Sequence, residues 1–242
     1  MQTGHNTYRW TPETVRFMAD AARFGQFPAI LAQAVADAVP DRGHICDAGC
    51  GTGWLSRALT RYFPAVTAAD VSAEALSALR AAPLPRGLEI LQADLFTYTP
   101  PVPFDAMVFC FFGSLAQTLA IARRCCCGTL VLLKRSRAAR QFSGGAPHQN
   151  TTRSTEDALN ALGLPFRLRS LRVEMGQPLR TEADAIRFAR AYSAAPAQLD
   201  PEAVLARLRP IPDDPEFRFF LPREREIGLI ALDTASLCDR SL

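Results

Sequence analysis

Apolar and polar positions along the chain follow two rhythms, and the place where one gives way to the other predicts the architecture. From residue 44 to residue 134, short apolar runs alternate with stretches of helical periodicity. ICDAG, AVTAAD, LEILQAD, DAMVFCFF and GTLVLLK read as strands, while WLSRALTRYF, SAEALSALRAA and SLAQTLAIARR read as helices. Such alternation predicts βαβ units and a parallel sheet. Residues 1–39 read as two helices, the first capped by Thr11 with Pro12 behind it, the second opened by Pro28.

After Lys134 the pattern breaks. The stretch RSRAARQFSGGAPHQNTTR is polar, glycine-containing and long for a loop inside a domain, which marks it as functional or mobile. STEDALNALG reads as a helix with Ser154 and Asp157 as a capping pair and Gly163 at its end. FRLRSLRVEM alternates apolar and basic side chains at period two, the mark of a half-exposed strand. TEADAIRFARAY and PEAVLARLR read as helices and EIGLIALD as a last strand. The expected organisation is one domain over 1–242. Residues 1–40 form a helical lid or cap, 41–175 a binding core, 176–225 a helical insertion over the substrate pocket, and 226–242 the last strand and tail. Gly176, Gln177 and Pro178 are the expected hinge of the insertion.

Composition narrows this picture only a little. Of 242 residues, 48% are apolar, enough for a core without disulfides or metal. Seven cysteines show no paired spacing, and no signal pattern or membrane-length apolar run is present, so reduced thiols, a cytoplasmic location and no membrane partner are expected. The net charge of +3 forces no choice of partner. Cys125, Cys126 and Cys127 are adjacent and precede the fifth strand. On a strand they would point to alternate faces, so a buried packing role and no metal site are expected.

The chemistry concentrates in HICDAGCGTGWLS. Gly49, Gly51 and Gly53 lie where a strand turns into a helix, so the backbone can approach a ligand closely. A tight turn without a ligand remains the plain alternative. Asp47 lies two residues before the first glycine, where a carboxylate would repel a pyrophosphate and attract a cationic ammonium. Asp70 closes the next strand 23 positions later, near the roughly 20-residue spacing of an acid that meets ribose hydroxyls. Asp94 closes the third. A dinucleotide-binding oxidoreductase is the competing reading, but its third glycine would be Ser56 and Asp47 would be misplaced.

In that order and spacing, DAGCGTGWLS, AADVS and QADLF resemble the class I S-adenosylmethionine-dependent methyltransferases. The resemblance implies an α/β fold with a doubly wound, seven-stranded, mostly parallel sheet of order 3-2-1-4-5-7-6, the last strand antiparallel. It implies S-adenosyl-L-methionine as cofactor, S-adenosyl-L-homocysteine as product, and cofactor contacts from Asp47, Gly49, Cys50, Gly51, Gly53, Asp70, Val71, Asp94, Leu95, Cys110 and Phe111. FCFFGS, at the end of the fourth strand, departs from the [Asp/Asn/Ser]-Pro-Pro-[Tyr/Phe] of enzymes acting on DNA bases or glutamine. The expected substrate is therefore a small-molecule nucleophile, methylated by in-line displacement, and nucleic acid is disfavoured.

Residues 123–180 hold eleven basic against three acidic side chains, which keeps RNA or protein as alternative substrates. A catalytically inactive cofactor-binding subunit is a further alternative, and a homodimer is compatible with the sequence. Tyr8 and His148 are weak candidates for catalytic groups. Tyr8 and Trp10 are candidates for a lid, whereas Phe17, Phe24 and Phe27 are expected to pack the first helices onto the sheet.

Overall fold

The structure, a computed structural model, describes residues 8–136, 150–193 and 195–238. His148 lies outside the described residues. Two helices come first, α1 (Pro12–Phe24) and α2 (Phe27–Ala38). Then follow β1 (His44–Ala48), α3 (Trp54–Leu59), β2 (Ala65–Asp70), α4 (Ala73–Arg80), β3 (Leu88–Gln92), β4 (Phe104–Cys110), α5 (Leu115–Cys125) and β5 (Cys126–Arg135). The remainder comprises α6 (Thr152–Ala161), β6 (Arg167–Glu174), β7 (Gln177–Leu179), α7 (Glu182–Ala191), α8 (Pro201–Leu205), β8 (Arg209–Pro210), β9 (Phe219–Leu221), β10 (Glu224–Asp233) and α9 (Ala235–Cys238).

The main sheet runs β3-β2-β1-β4-β5-β10-β6, and β10 pairs antiparallel with both neighbours. This is the expected order, with β10 as the seventh strand. Central strands buried on both faces explain the near-continuous apolar runs of the sequence. One face carries Ile45, Val66, Val108, Val131, Leu133 and Ile227 beneath α2 and α3. The other carries Cys46, Met107, Phe109, Leu130 and Leu132 beneath α5 and α6.

Local signals placed most helix starts. Thr11 caps α1 in a reciprocal pair with Thr14, Ser72 caps α4, and Ser114 caps α5 together with Gln117. At α6 the cap lies three residues earlier than expected: Thr151 and Ser154 form the reciprocal pair, not Ser154 and Asp157. Asp157 instead faces Arg153, with 3.6 Å between charged atoms.

The stretch between β6 and β10 is more than helical. It carries α7 and α8 and a second, three-stranded antiparallel sheet of order β7-β9-β8. Gln177, Pro178 and Leu179 are buried within that sheet, so the expected hinge is instead a packed strand. This unit also recruits α1. Phe17 packs against Phe188 at 5.3 Å between ring centroids, among Leu179, Ala185, Val204 and Leu221. Phe24 contacts Phe217 and Phe220. Only Phe27 joins the main core as expected, against Trp54. Ion pairs rim the same seam: Arg16 reaches Asp184 at 2.8 Å, Arg180 reaches Asp20 at 2.6 Å, and Glu216 receives both Arg23 and Arg180. A sequence reader sees three phenylalanines near a sheet; the seam appears only once the insertion is placed.

The cysteine run also divides. Cys125 closes α5 and is buried, Cys126 opens β5 and is buried, but Cys127 is exposed, contrary to a buried role for all three. Among the described residues no group of His, Cys, Asp or Glu is arranged to hold a metal ion, and no helix is long and apolar enough to cross a membrane.

Candidate active site

The first three parallel strands end at the same edge, and the acids singled out above lie there: Asp47 next to last in β1, Asp70 last in β2, and Asp94 two residues beyond β3. Asp47, in β1, is 1% exposed. Its Oδ2 accepts the Ser56 hydroxyl at 2.6 Å, whereas Oδ1 is buried with no hydrogen-bond partner among the described residues. Burial pushes the Asp47 carboxyl up to about 7, against the lowering effect of the Ser56 bond, and the charge of Asp70 adds to the rise. An orphaned buried carboxylate oxygen costs free energy that a cationic donor would recover.

Beyond Asp47 the chain turns through Gly49, Gly51 and Gly53, all with positive φ of 73°, 55° and 71°. Only glycine takes such a run without strain. Close approach constrains these positions as well. A Cβ at Gly49 would lie 2.3 Å from the Phe112 ring, one at Gly51 2.5 Å from the Trp10 indole, and one at Gly53 2.5 Å from Leu79. The turn is therefore pressed between β4's end, the N-terminal segment and α4. Cys50 is buried in the apolar core, which drives its thiol well upward and keeps it protonated.

Asp70 ends β2 and ties the turn down. Its Oδ2 accepts the Gly51 amide at 2.7 Å and its Oδ1 the Ser72 amide at 2.8 Å. Each oxygen retains a second lone pair for a ligand. Val71 beyond it is exposed. Asp94 is exposed and holds its own turn through the Phe96 amide at 2.9 Å. Leu95 is buried in the core under α5, so its side chain faces away from the edge.

The end of β4 completes the edge. Phe111 is not glycine, yet its φ is +56°, a conformation uncommon for a bulky residue and costly enough to be held by its surroundings. Lys134 supplies the hold. It is 2% exposed, and its Nζ donates to the carbonyls of Phe112 at 2.8 Å and Gly113 at 2.9 Å. Burial brings the ammonium down to about 8. Cys110 beside it is half-buried, and desolvation pushes its thiol far up. Phe112 stacks on Phe96 and tilts against Phe109, closing the wall behind Gly49. Trp10 lies on Gly51 and meets Tyr8 edge-on at 4.8 Å between centroids, with Tyr8 exposed.

Asp47, the glycine turn, Asp70, Phe111 and Trp10 are thus brought together. Leu95's side chain is not. Ser56 and Lys134 were not read from sequence as site residues. The only lysine in the chain, at the end of an apolar strand, was the available signal for Lys134.

Residues 45–143 match the family described as methyltransferase domain, a span that begins in β1 and takes in every acid and glycine above. No curated protein matches the chain. Among solved structures, a protein from Anaeromyxobacter dehalogenans, provisionally described as a type II methyltransferase, aligns at TM-score 0.52 and 18% identity, over 86% of this chain and 96% of its own. One from Bacillus halodurans, provisionally described as a methyltransferase, aligns at TM-score 0.51 and 14% identity, over 85% and 98%. The YcgJ protein from Bacillus subtilis aligns at TM-score 0.52 and 11% identity, over 86% and 98%. These three share the fold, and the span from 45 to 143, less than half of the chain, is similar to a methyltransferase domain.

Proposed function

We propose that this edge binds S-adenosylmethionine and that the enzyme methylates a small-molecule nucleophile by in-line displacement. The observation that carries the cofactor assignment is the Asp47 Oδ1: a buried oxygen lacking a partner, beside a turn stripped of side chains. The chemistry of these residues fits that cofactor. Asp47 would take its ammonium, Asp70 the ribose hydroxyls, the backbone of Gly49–Gly53 its carboxylate end, and Asp94 the adenine amine. When bound, it supplies an electrophilic methyl group carried on a sulfonium.

The protein's own part is positioning and exclusion of water. Lys134 fixes the carbonyls of Phe112 and Gly113 and so orients Phe111 and Phe112 over the turn. Those rings, with Cys110, form an apolar wall in which a cation is stabilised by aromatic faces. Trp10 and Tyr8 lie where a lid would lie, over Gly51. No base is needed if the nucleophile arrives deprotonated. Where it arrives protonated, Tyr8 is the described candidate. The similarity of residues 45–143 to a methyltransferase domain supports methyl transfer over the hydride-transfer alternative.

The test is to incubate the protein with methyl-labelled S-adenosylmethionine and three acceptor pools: mixed low-mass amines, alcohols, thiols and acids; total RNA; and denatured protein. Label in the low-mass fraction alone is expected. Label in RNA or protein alone would overturn the substrate class.

A further inference from the structure

Three arginines converge at the same sheet edge, and no role described above employs them. Arg135 ends β5. In the antiparallel pairing of β5 with β10 it lies opposite Ile227, and Arg225 precedes Ile227 by two residues. Side chains two apart on a strand share a face, so Arg135 and Arg225 are diagonal neighbours on the face that buries Leu133 and Ile227. Diagonal neighbours lie about 7–8 Å apart, within reach of one bridging ligand for side chains this long. Arg223, two further back, is fixed by its own backbone: its carbonyl accepts the Met175 amide at 3.0 Å and its amide donates to Glu174 at 2.6 Å.

Two aromatic rings bracket the set. The Arg135 guanidinium sits 5.3 Å from the centroid of Phe111, and that of Arg223 sits 6.0 Å from the centroid of Tyr192, where α7 ends. The cluster therefore spans the gap between the strained end of β4 and the insertion, beyond β4 from the glycine turn.

Its electrostatics differ from those of the arginines at the α1 seam. There Arg23, Arg180 and Arg187 are raised by their carboxylates. Here all three guanidiniums are held below the usual value. Burial is the main cause for each; Arg225 and Arg135 further lower Arg223 to about 9, and Arg135 further lowers Arg225 to about 10. Three guanidiniums gathered and half-buried at one edge present forked donors whose geometry suits an anion.

We propose that Arg135, Arg223 and Arg225 form an oxyanion-binding site for the methyl acceptor, so that the substrate is a small molecule bearing a carboxylate or a phosphate. The guanidinium fork matches either group through paired hydrogen bonds. Phe111 orients Arg135, and Tyr192 provides a wall against which the body of the substrate can lie. This inference rests on the methyl-transfer reading above for the identity of the ligand, though not for the existence of the anion site.

The probes are inorganic phosphate and malonate, added to the full chain at constant ionic strength set with chloride, with thermal midpoint as readout. S-adenosylhomocysteine is titrated separately by calorimetry. At least one anion is expected to raise the midpoint of the wild type in a saturable way. Arg135→Gln and Arg225→Gln are each expected to weaken that response tenfold or more, Arg225→Lys to restore part of it, and S-adenosylhomocysteine affinity to change less than twofold in all three. If a glutamine variant does not fold, the lysine variant and the wild-type anion response still decide the matter. Normal S-adenosylhomocysteine binding with no stabilisation by either anion beyond chloride overturns the anion site and leaves the cofactor reading intact. Anion stabilisation without S-adenosylhomocysteine binding does the reverse. Tighter binding of a short single-stranded RNA than of both small anions, lost equally in the glutamine variants, would show a nucleic-acid footprint and overturn the small-molecule assignment.

Discussion

Replacing Asp47 by asparagine separates the cost of the buried carboxylate from its use. In the folded protein the group rises from an ordinary value of 3.8 to about 7, which at 1.36 kcal/mol per pH unit is about 4 kcal/mol held against the charged form. The sign follows from proton binding. Between pH 4 and 7 the folded state holds the proton and the unfolded state does not, so stability falls as pH rises through this window, and the whole cost is present above about pH 7. The Asp47→Asn variant loses the charge and keeps an oxygen for the Ser56 hydroxyl, which in the wild type lies 2.6 Å from Oδ2. It also introduces a buried amide whose N–H groups lack partners, a cost of about 1–3 kcal/mol. At pH 8 the variant should thus be about 1–3 kcal/mol more stable than the wild type without cofactor, and at pH 4.5 it should be less stable. The assay is urea unfolding followed by circular dichroism at pH 4.5, 5.5, 6.5 and 8. A difference between the two proteins that stays constant with pH would refute the reasoning. Cofactor binding should move the other way, weakening at least tenfold at pH 8 as a charge-assisted bond is lost.

Asp70→Ala should cost about 1–3 kcal/mol, because it orphans the buried Gly51 amide. It should also weaken cofactor binding by tenfold or more, read by equilibrium dialysis, and unchanged binding would dismiss the ribose contact. Lys134→Met tests the tether of β4's end. The wild-type ammonium lies at about 8 against an ordinary 10.5, so wild-type stability should climb relative to the variant between pH 8 and 10.5, by up to about 3 kcal/mol. Parallel chemical-denaturation curves would rule out a buried charged lysine. Phe17→Ala removes the side chain that joins α1 to the insertion and should cost about 3–5 kcal/mol, detected as faster proteolysis of residues 176–225. Trp10→Phe should remove any fluorescence change on S-adenosylhomocysteine binding, since Trp54 packs on Phe27 in the core; a retained signal would place Trp10 away from the cofactor.

What could be read in the sequence was what depends on neighbours in the chain. The turn at Gly49–Gly53 needs positive φ at three alternate positions, and glycine records that need directly. The alternation of strands and helices was legible as alternating apolar runs, because buried parallel strands and crossover helices impose them; the strand order came only from the resemblance to the methyltransferases. Long-range packing was hidden. Phe17 and Phe24 have the spacing of residues that face a sheet, yet α1 gives them to the insertion, whose second sheet is built from strands too short to show a pattern. The cap of α6 shifted because Thr151–Ser154 offers the same chemistry as Ser154–Asp157, and nothing local favours either. Arg135 and Arg225 are ninety residues apart in the chain and meet only through the register of β5 with β10. Deleting residues 181–210 would strip Phe17 of Phe188 and Val204, so altered kinetics in such a variant would report unfolding as readily as a lost cap.

The central claim is that the edge formed by Asp47, the glycine turn and Asp70 binds S-adenosylmethionine. Calorimetric titration of the purified protein with S-adenosylmethionine, S-adenosylhomocysteine and NADH, in parallel, tests it most directly. The account predicts micromolar binding of the first two and none of NADH. Binding of NADH alone would contradict it.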